Sequence, residues 1–182
     1  TGSTPLDITH SYPVQMRMYG NSSTVAGDGN QLISYSSTSD LNQNITLMDF
    51  NVTGFGDASK NGGAIHASAL TNMELLNMTF SGNKGLNGGS LYMDSGAGSD
   101  GYVGSLRVED CIFEHDESHT SGGSIYAQYM KKAGVRITKS KFSSTSAGYY
   151  GGGVYLKYSD SSTIQGCSFS STSAGYYGGG GG

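Results

Sequence analysis

The sequence predicts an all-β protein: a single-stranded right-handed parallel β-helix, a solenoid of about five coils of 27–34 residues with three short strands per coil. Three observations carry that prediction. The block FSSTSAGYYGGG occurs at 142–153 and again at 169–180, the cleanest copy of a unit that recurs from about residue 45. Its anchors are Val52, Phe80, Phe113, Phe142 and Phe169, spaced 28, 33, 29 and 27 residues apart, and a glycine pair follows each anchor by eight to ten residues. The apolar runs between these marks alternate, as strands with one buried face do. Repeats of this length are stacked units, none of which buries its apolar face alone.

Residues 1–44 fit the unit poorly and hold both prolines. Runs such as Val14 to Tyr19 and Gln31 to Tyr35 predict strands of a degenerate first coil or an N-terminal cap over an otherwise open sheet edge. Residues 45–182 are the repeated coils. The first strand of each points Ile45 and Leu47, Met73 and Leu75, Leu106 and Val108, Val135 and Ile137, or Ser162 and Ile164 inward. A break of phase follows, with Asp49, Asn77 or Asp110 in a slot that suits the left-handed conformation of a sharp bend. The second strand points Phe50 and Val52, Met78 and Phe80, Cys111 and Phe113, Ser140 and Phe142, or Cys167 and Phe169 inward.

A polar Ser/Gly loop then leads to the glycine pair, whose freedom lets the chain turn close above its neighbour. The third strand opens with Ile65, Leu91, Ile125 or Val154, followed two residues on by Ala67, Met93, Ala127 or Leu156. Gly182 comes directly after the fifth glycine pair, where earlier coils place that third strand, so further coils are expected beyond it. Right-handedness is expected from the general chirality of parallel crossovers. Helical repeats need apolar residues at three-and-four spacing, and propeller blades need four antiparallel strands with hairpin signals; neither pattern is present.

A net charge of −4 with only 13% charged residues lacks the basic footprint of a nucleic-acid binder. No apolar run has the length of a membrane span. Cys111 and Cys167 share one offset in coils two apart, with Ser140 between them. At strand spacing their sulfurs fall roughly 9–10 Å apart, too far to bridge, so they read as free thiols in one column, with an intermolecular disulfide as the alternative. Sequons at Asn21, Asn44, Asn51 and Asn77 are possible N-glycosylation sites.

The segments Gly62-Gly63-Ala64-Ile65 and Phe80-Ser81-Gly82-Asn83 resemble the GGA(I/L/V) and FxxN repeats of the chlamydial polymorphic outer-membrane proteins. Similar right-handed β-helix repeats of pectin-lyase-like form occur in microbial and protist surface proteins. Only one unit has the full FxxN; others read Phe113-Glu114-His115-Asp116 or Phe142-Ser143-Ser144-Thr145. The resemblance implies the same solenoid and a surface-exposed, adhesive or structural role.

Carbohydrate hydrolysis on such a fold needs two carboxylates on opposite sides of one bond, and no Asp-Asp pair is present. Arg136 occupies the ordinary outward slot it shares with Glu74 and Arg107. The densest ionisable stretch, with His115, Asp116, Glu117 and His119, is a weak metal candidate whose simpler reading is a solvated loop. His66, Tyr92, Tyr126 and Tyr155 share an outward offset and predict a column; Tyr149-Tyr150 above Tyr176-Tyr177 predict a second. These columns either stabilise the stack or offer a binding surface for sugar rings or a packed neighbour. The expected protein is a non-enzymatic, cofactor-free solenoid of the cell surface or extracellular space, a segment of a longer adhesin, coat protein or filament subunit. Its expected partners are copies of itself, cell-surface proteins or glycans. The alternatives are a polysaccharide hydrolase or lyase and a glycan-binding module.

Overall fold

The computed structural model describes residues 6–10, 15–37, 43–69, 72–96, 104–130 and 134–179. It is an all-β parallel solenoid of about five turns with three parallel sheets, as the repeat predicts. Val14, the two prolines and Gly180 to Gly182 lie outside the described residues.

The ten-stranded sheet carries the first two runs of every coil. They share it because Asn44–Thr53 continues through the Asp49 bend as one strand. Its first half pairs with Asn72–Leu76 and its second half with Thr79–Ser81. Asp49, Asn77, Asp110, Lys139 and Gly166 all bend there with φ between 49° and 64°. Asp and Asn tolerate that region through local hydrogen bonds, and Asn77 Nδ2 donates to Asp49 Oδ1 at 2.7 Å. Gln15–Ala26 adds to the same sheet beneath Asn44–Thr53, with a register shift between Tyr19 and Ser23.

Register is kept from coil to coil. Val52 lies over Phe80, Phe80 over Phe113, Phe113 over Phe142 and Phe142 over Phe169. The four phenyl rings stack at centroid distances of 5.0, 4.8 and 4.8 Å and are parallel to within 5°. Phe80, Phe113 and Phe142 are fully buried, so each stabilises the core by about 2–3 kcal/mol through burial, with about 1 kcal/mol more per ring pair. Ile45, Met73, Leu106 and Val135 form a second buried column. In the last described coil Ile164 is 40% exposed and Phe169 half-buried.

The six-stranded sheet stacks Leu6–His10, Ile33–Ser37, Ile65–Ser68, Leu91–Asp94, Ile125–Gln128 and Val154–Lys157. The glycine pairs before its strands have two different jobs. Gly62, Gly88, Gly122, Gly151 and Gly178 take φ of 60–72°, where a side chain is strained. The second glycine is required by its neighbour: a Cβ on Gly63, Gly89, Gly123 or Gly152 would sit inside the carbonyl of the next coil's equivalent glycine.

The four-stranded sheet comes from the loop expected to be only a polar connection. It stacks Lys84–Gly85, Glu117–Ser118, Ser146–Ala147 and Ser173–Ala174. Two residues with Gly, Ser or Ala inward leave no apolar alternation to read, which is why the sequence gives no sign of it.

Candidate functional site

The predicted column of His66, Tyr92, Tyr126 and Tyr155 exists, in register, with ring centroids 5.2–5.4 Å apart. Its expected exposure does not hold in the middle: Tyr92 and Tyr126 are only 8% and 7% exposed. The rings cover one another and a polar rim closes over them. Gln128 Nε2 donates to the Tyr92 hydroxyl oxygen at 3.0 Å and to Asp94 Oδ2 at 2.7 Å, while the Tyr126 hydroxyl donates to Gln128 Oε1 at 3.0 Å. Burial raises both phenols, Tyr126 to about 12, and holds the His66 imidazole below its ordinary value. Tyr92 and Tyr126 are thus closed into the structure, while His66 and Tyr155 at the two ends of the column are half-buried.

The second column is open. Tyr149 and Tyr150 are 44% and 38% exposed, Tyr176 and Tyr177 68% and 72%. Tyr149 stacks on Tyr176 at 5.4 Å and Tyr150 on Tyr177 at 6.0 Å, both pairs within 4° of parallel. Tyr150 also leans on Tyr155 at 5.7 Å. Because the rings stack face to face along the solenoid, they present mainly edges and hydroxyls to solvent.

The ionisable stretch does not converge. Asp116 points inward and is 1% exposed, whereas His115, Glu117 and His119 are exposed on the other side of the strand. The expected solvated loop is thus corrected for Asp116: His115 bends at φ 57°, turning the next side chain into the interior. Outside, Glu117 pairs with Lys84 at 3.2 Å. Among the described residues no group of three or more His, Cys, Asp or Glu is placed to hold a metal.

Asp116 is the structural counterpart of the FxxN asparagine. Asn83 Oδ1 accepts from the Phe55 amide one coil below at 2.9 Å, and Asp116 Oδ1 accepts from the Asn83 amide at 3.0 Å. Asp116 Oδ2 accepts from the Ser90 hydroxyl at 2.6 Å. Burial raises the Asp116 carboxyl to about 6, opposed by the hydrogen bonds from Ser90 and Asn83.

A groove of about 430 Å³ runs along the outer face of the ten-stranded sheet. Gln15, Asn44, Asn72 and Ser105 line one side and Arg17, Thr46, Glu74, Arg107 and Arg136 the other. Asn72 Nδ2 donates to Asn44 Oδ1 at 2.6 Å, and Arg107 bridges Glu74 and Glu109. Arg107 holds the Glu109 carboxyl below its ordinary value. Outward positions here were readable as polar, but their joining into a groove was not.

Of the sequons, Asn21 and Asn77 are exposed, and Asn44 and Asn51 half-buried. Asn51 Nδ2 donates to the Ser22 carbonyl at 3.2 Å. Both cysteines are free, Cys111 buried and Cys167 half-buried, and Cys111 donates its amide to the intervening Ser140 hydroxyl at 3.1 Å. Burial pushes the Cys111 thiol up to about 12. Comparison with protein-family models, curated proteins and solved structures found no match.

Proposed function

We propose that this chain is a non-enzymatic structural or adhesive segment of a cell-surface or extracellular protein. The observation that carries the reading is the in-register stacking of like residues through the coils, which sets a rigid length and repeats surface features at strand spacing. The carboxylate that lines the outer groove also supports it, since Glu74 is paired with Arg107, which also pairs with Glu109 beside the groove, rather than set with a second carboxylate across an open bond. Antibody labelling of intact cells, followed by electron microscopy of the native assembly, tests it. Label on surface rods or fibres is expected; purely internal label, or robust turnover of acidic polysaccharides by the purified protein, overturns the proposal.

A glycan-binding module is the second reading, favoured by the groove with its row of amides beside a guanidinium. Replacing Asn72 and Arg107 by Ala should then abolish retention on a glycan array while strand content is kept. Unchanged retention rejects the groove as the binding site.

A further inference from the structure

We propose that Tyr149, Tyr150, Tyr176 and Tyr177 form a site of oxidative phenol coupling, through which one copy of this chain becomes covalently linked to a second copy. The inference deepens the structural reading above and rests on it for the extracellular setting in which a peroxide oxidant is met. Its basis is the geometry of the four rings.

Three features set this group apart from tyrosines that are merely at the surface. Exposure belongs to the column itself: Tyr149 and Tyr150 remain 44% and 38% exposed although another coil is stacked on theirs. Stacking covers the facing sides of the Tyr149–Tyr176 and Tyr150–Tyr177 pairs and leaves their edges open, and the edge carries the hydroxyl and the ortho carbons at which phenoxyl radicals join. The rings also form one contact network, with centroids at 5.4 Å for Tyr149–Tyr176, 6.0 Å for Tyr150–Tyr177, 6.3 Å for Tyr149–Tyr150 and 6.5 Å for Tyr150–Tyr176. An electron lost from any ring is therefore shared with neighbours in contact, and the radical reaches the most open edge.

The chemistry balances with hydrogen peroxide and a haem peroxidase as the oxidising system. Each of two phenols gives up one electron and its hydroxyl proton. The two radicals form one carbon–carbon bond between ortho positions, and the two ring hydrogens move to the oxygens to restore both phenols. Peroxide takes up the two electrons and two protons and leaves as two waters. Within one chain the stacked pairs are parallel to within 4° and pinned by backbone pairing at Tyr150 and Tyr177. That arrangement keeps the ortho carbons of each stacked pair from meeting edge to edge. Tyr149–Tyr150 and Tyr150–Tyr176 are tilted by 41° and 42° with centroids 6.3 and 6.5 Å apart, so the proposed bond is the one between open edges of two chains, and a cross-linked monomer without dimer overturns it.

The test treats the purified full chain with hydrogen peroxide and a haem peroxidase. Covalent dimer with dityrosine fluorescence is expected, and peptide mapping should place the links among these four residues. Tyr19 and Tyr158, 61% and 56% exposed, lie outside the cluster and are internal controls. Replacing all four cluster tyrosines by Phe keeps the rings and should remove the dimer, with strand content checked by circular dichroism; Tyr19→Phe with Tyr158→Phe should leave it. Links at Tyr19 or Tyr158 in equal measure, or undiminished dimer in the four-fold variant, overturn the proposal. Because the assay uses isolated chain, such a failure is distinct from loss of surface label in the microscopy.

Discussion

At Asp116 a carboxylate sits where the coil before it places the Asn83 amide, and the consequence is a pH dependence. Its folded value of about 6 lies above the ordinary 3.8, so the folded state binds the proton more tightly than the unfolded chain. The stabilisation is fully present below the unfolded value and is lost as pH rises through about 6, amounting to about 2 kcal/mol between about pH 4 and pH 7. His66, whose value is lowered by burial, acts in the opposite sense, losing stability as pH falls through the ordinary histidine range. Chemical denaturation of the wild type and of Asp116→Asn across that range separates the two. The Asn variant should be the more stable at neutral pH and should lack the Asp116 component; parallel curves would show that Asp116 does not titrate there. The glycines give a second contrast. Gly82 has φ 65° and open space around its missing side chain, so Gly82→Ala should cost about 1–2 kcal/mol of backbone strain. Gly123→Ala drives a Cβ into the Gly152 carbonyl and should abolish cooperative unfolding, measured by thermal circular dichroism.

Strands and bends show where sequence was informative. Alternation made Ile45, Leu47, Met73 and Leu75 readable as inward, and all four are buried, because a strand has one side-chain direction per position. Asp49, Asn77 and Asp110 were readable as bends because few residues accept positive φ, while Lys139 in the same slot was not, since lysine has no such preference. The two-residue sheet and the inward turn of Asp116 were illegible for a related reason: small and polar residues line that corner, and polarity reads as exposure. The tyrosine column was legible as a column but not in the burial of its middle rings. Alternation correctly set Tyr92 and Tyr126 on the face opposite Leu91 and Ile125, but the closure by Asp94 and Gln128 depends on side chains meeting across coils. Tyr92→Ala and Tyr126→Ala should therefore each lower thermal stability by about 3 kcal/mol or more rather than act as silent surface changes. An unchanged melting temperature would return that column to the surface.

For the molecule as a whole, stability is a sum over coils and their interfaces. Deleting 142–168 joins Lys141 directly to Phe169, which occupies the same register as Phe142. The shortened chain should unfold cooperatively and be shorter by about 4.8 Å, one strand spacing, in small-angle scattering. Global loss of strand structure would contradict the additive picture.

The close approach of Gly63, Gly89, Gly123 and Gly152 to the carbonyls above them also governs how such a protein can change size. One residue gained or lost at that corner has nowhere to go, whereas a complete winding slots in with every carbonyl still facing a bare α-carbon. Whole windings keep that corner intact, and the verbatim recurrence of twelve residues at 142–153 and 169–180 falls at the spacing of one such winding, 27 residues.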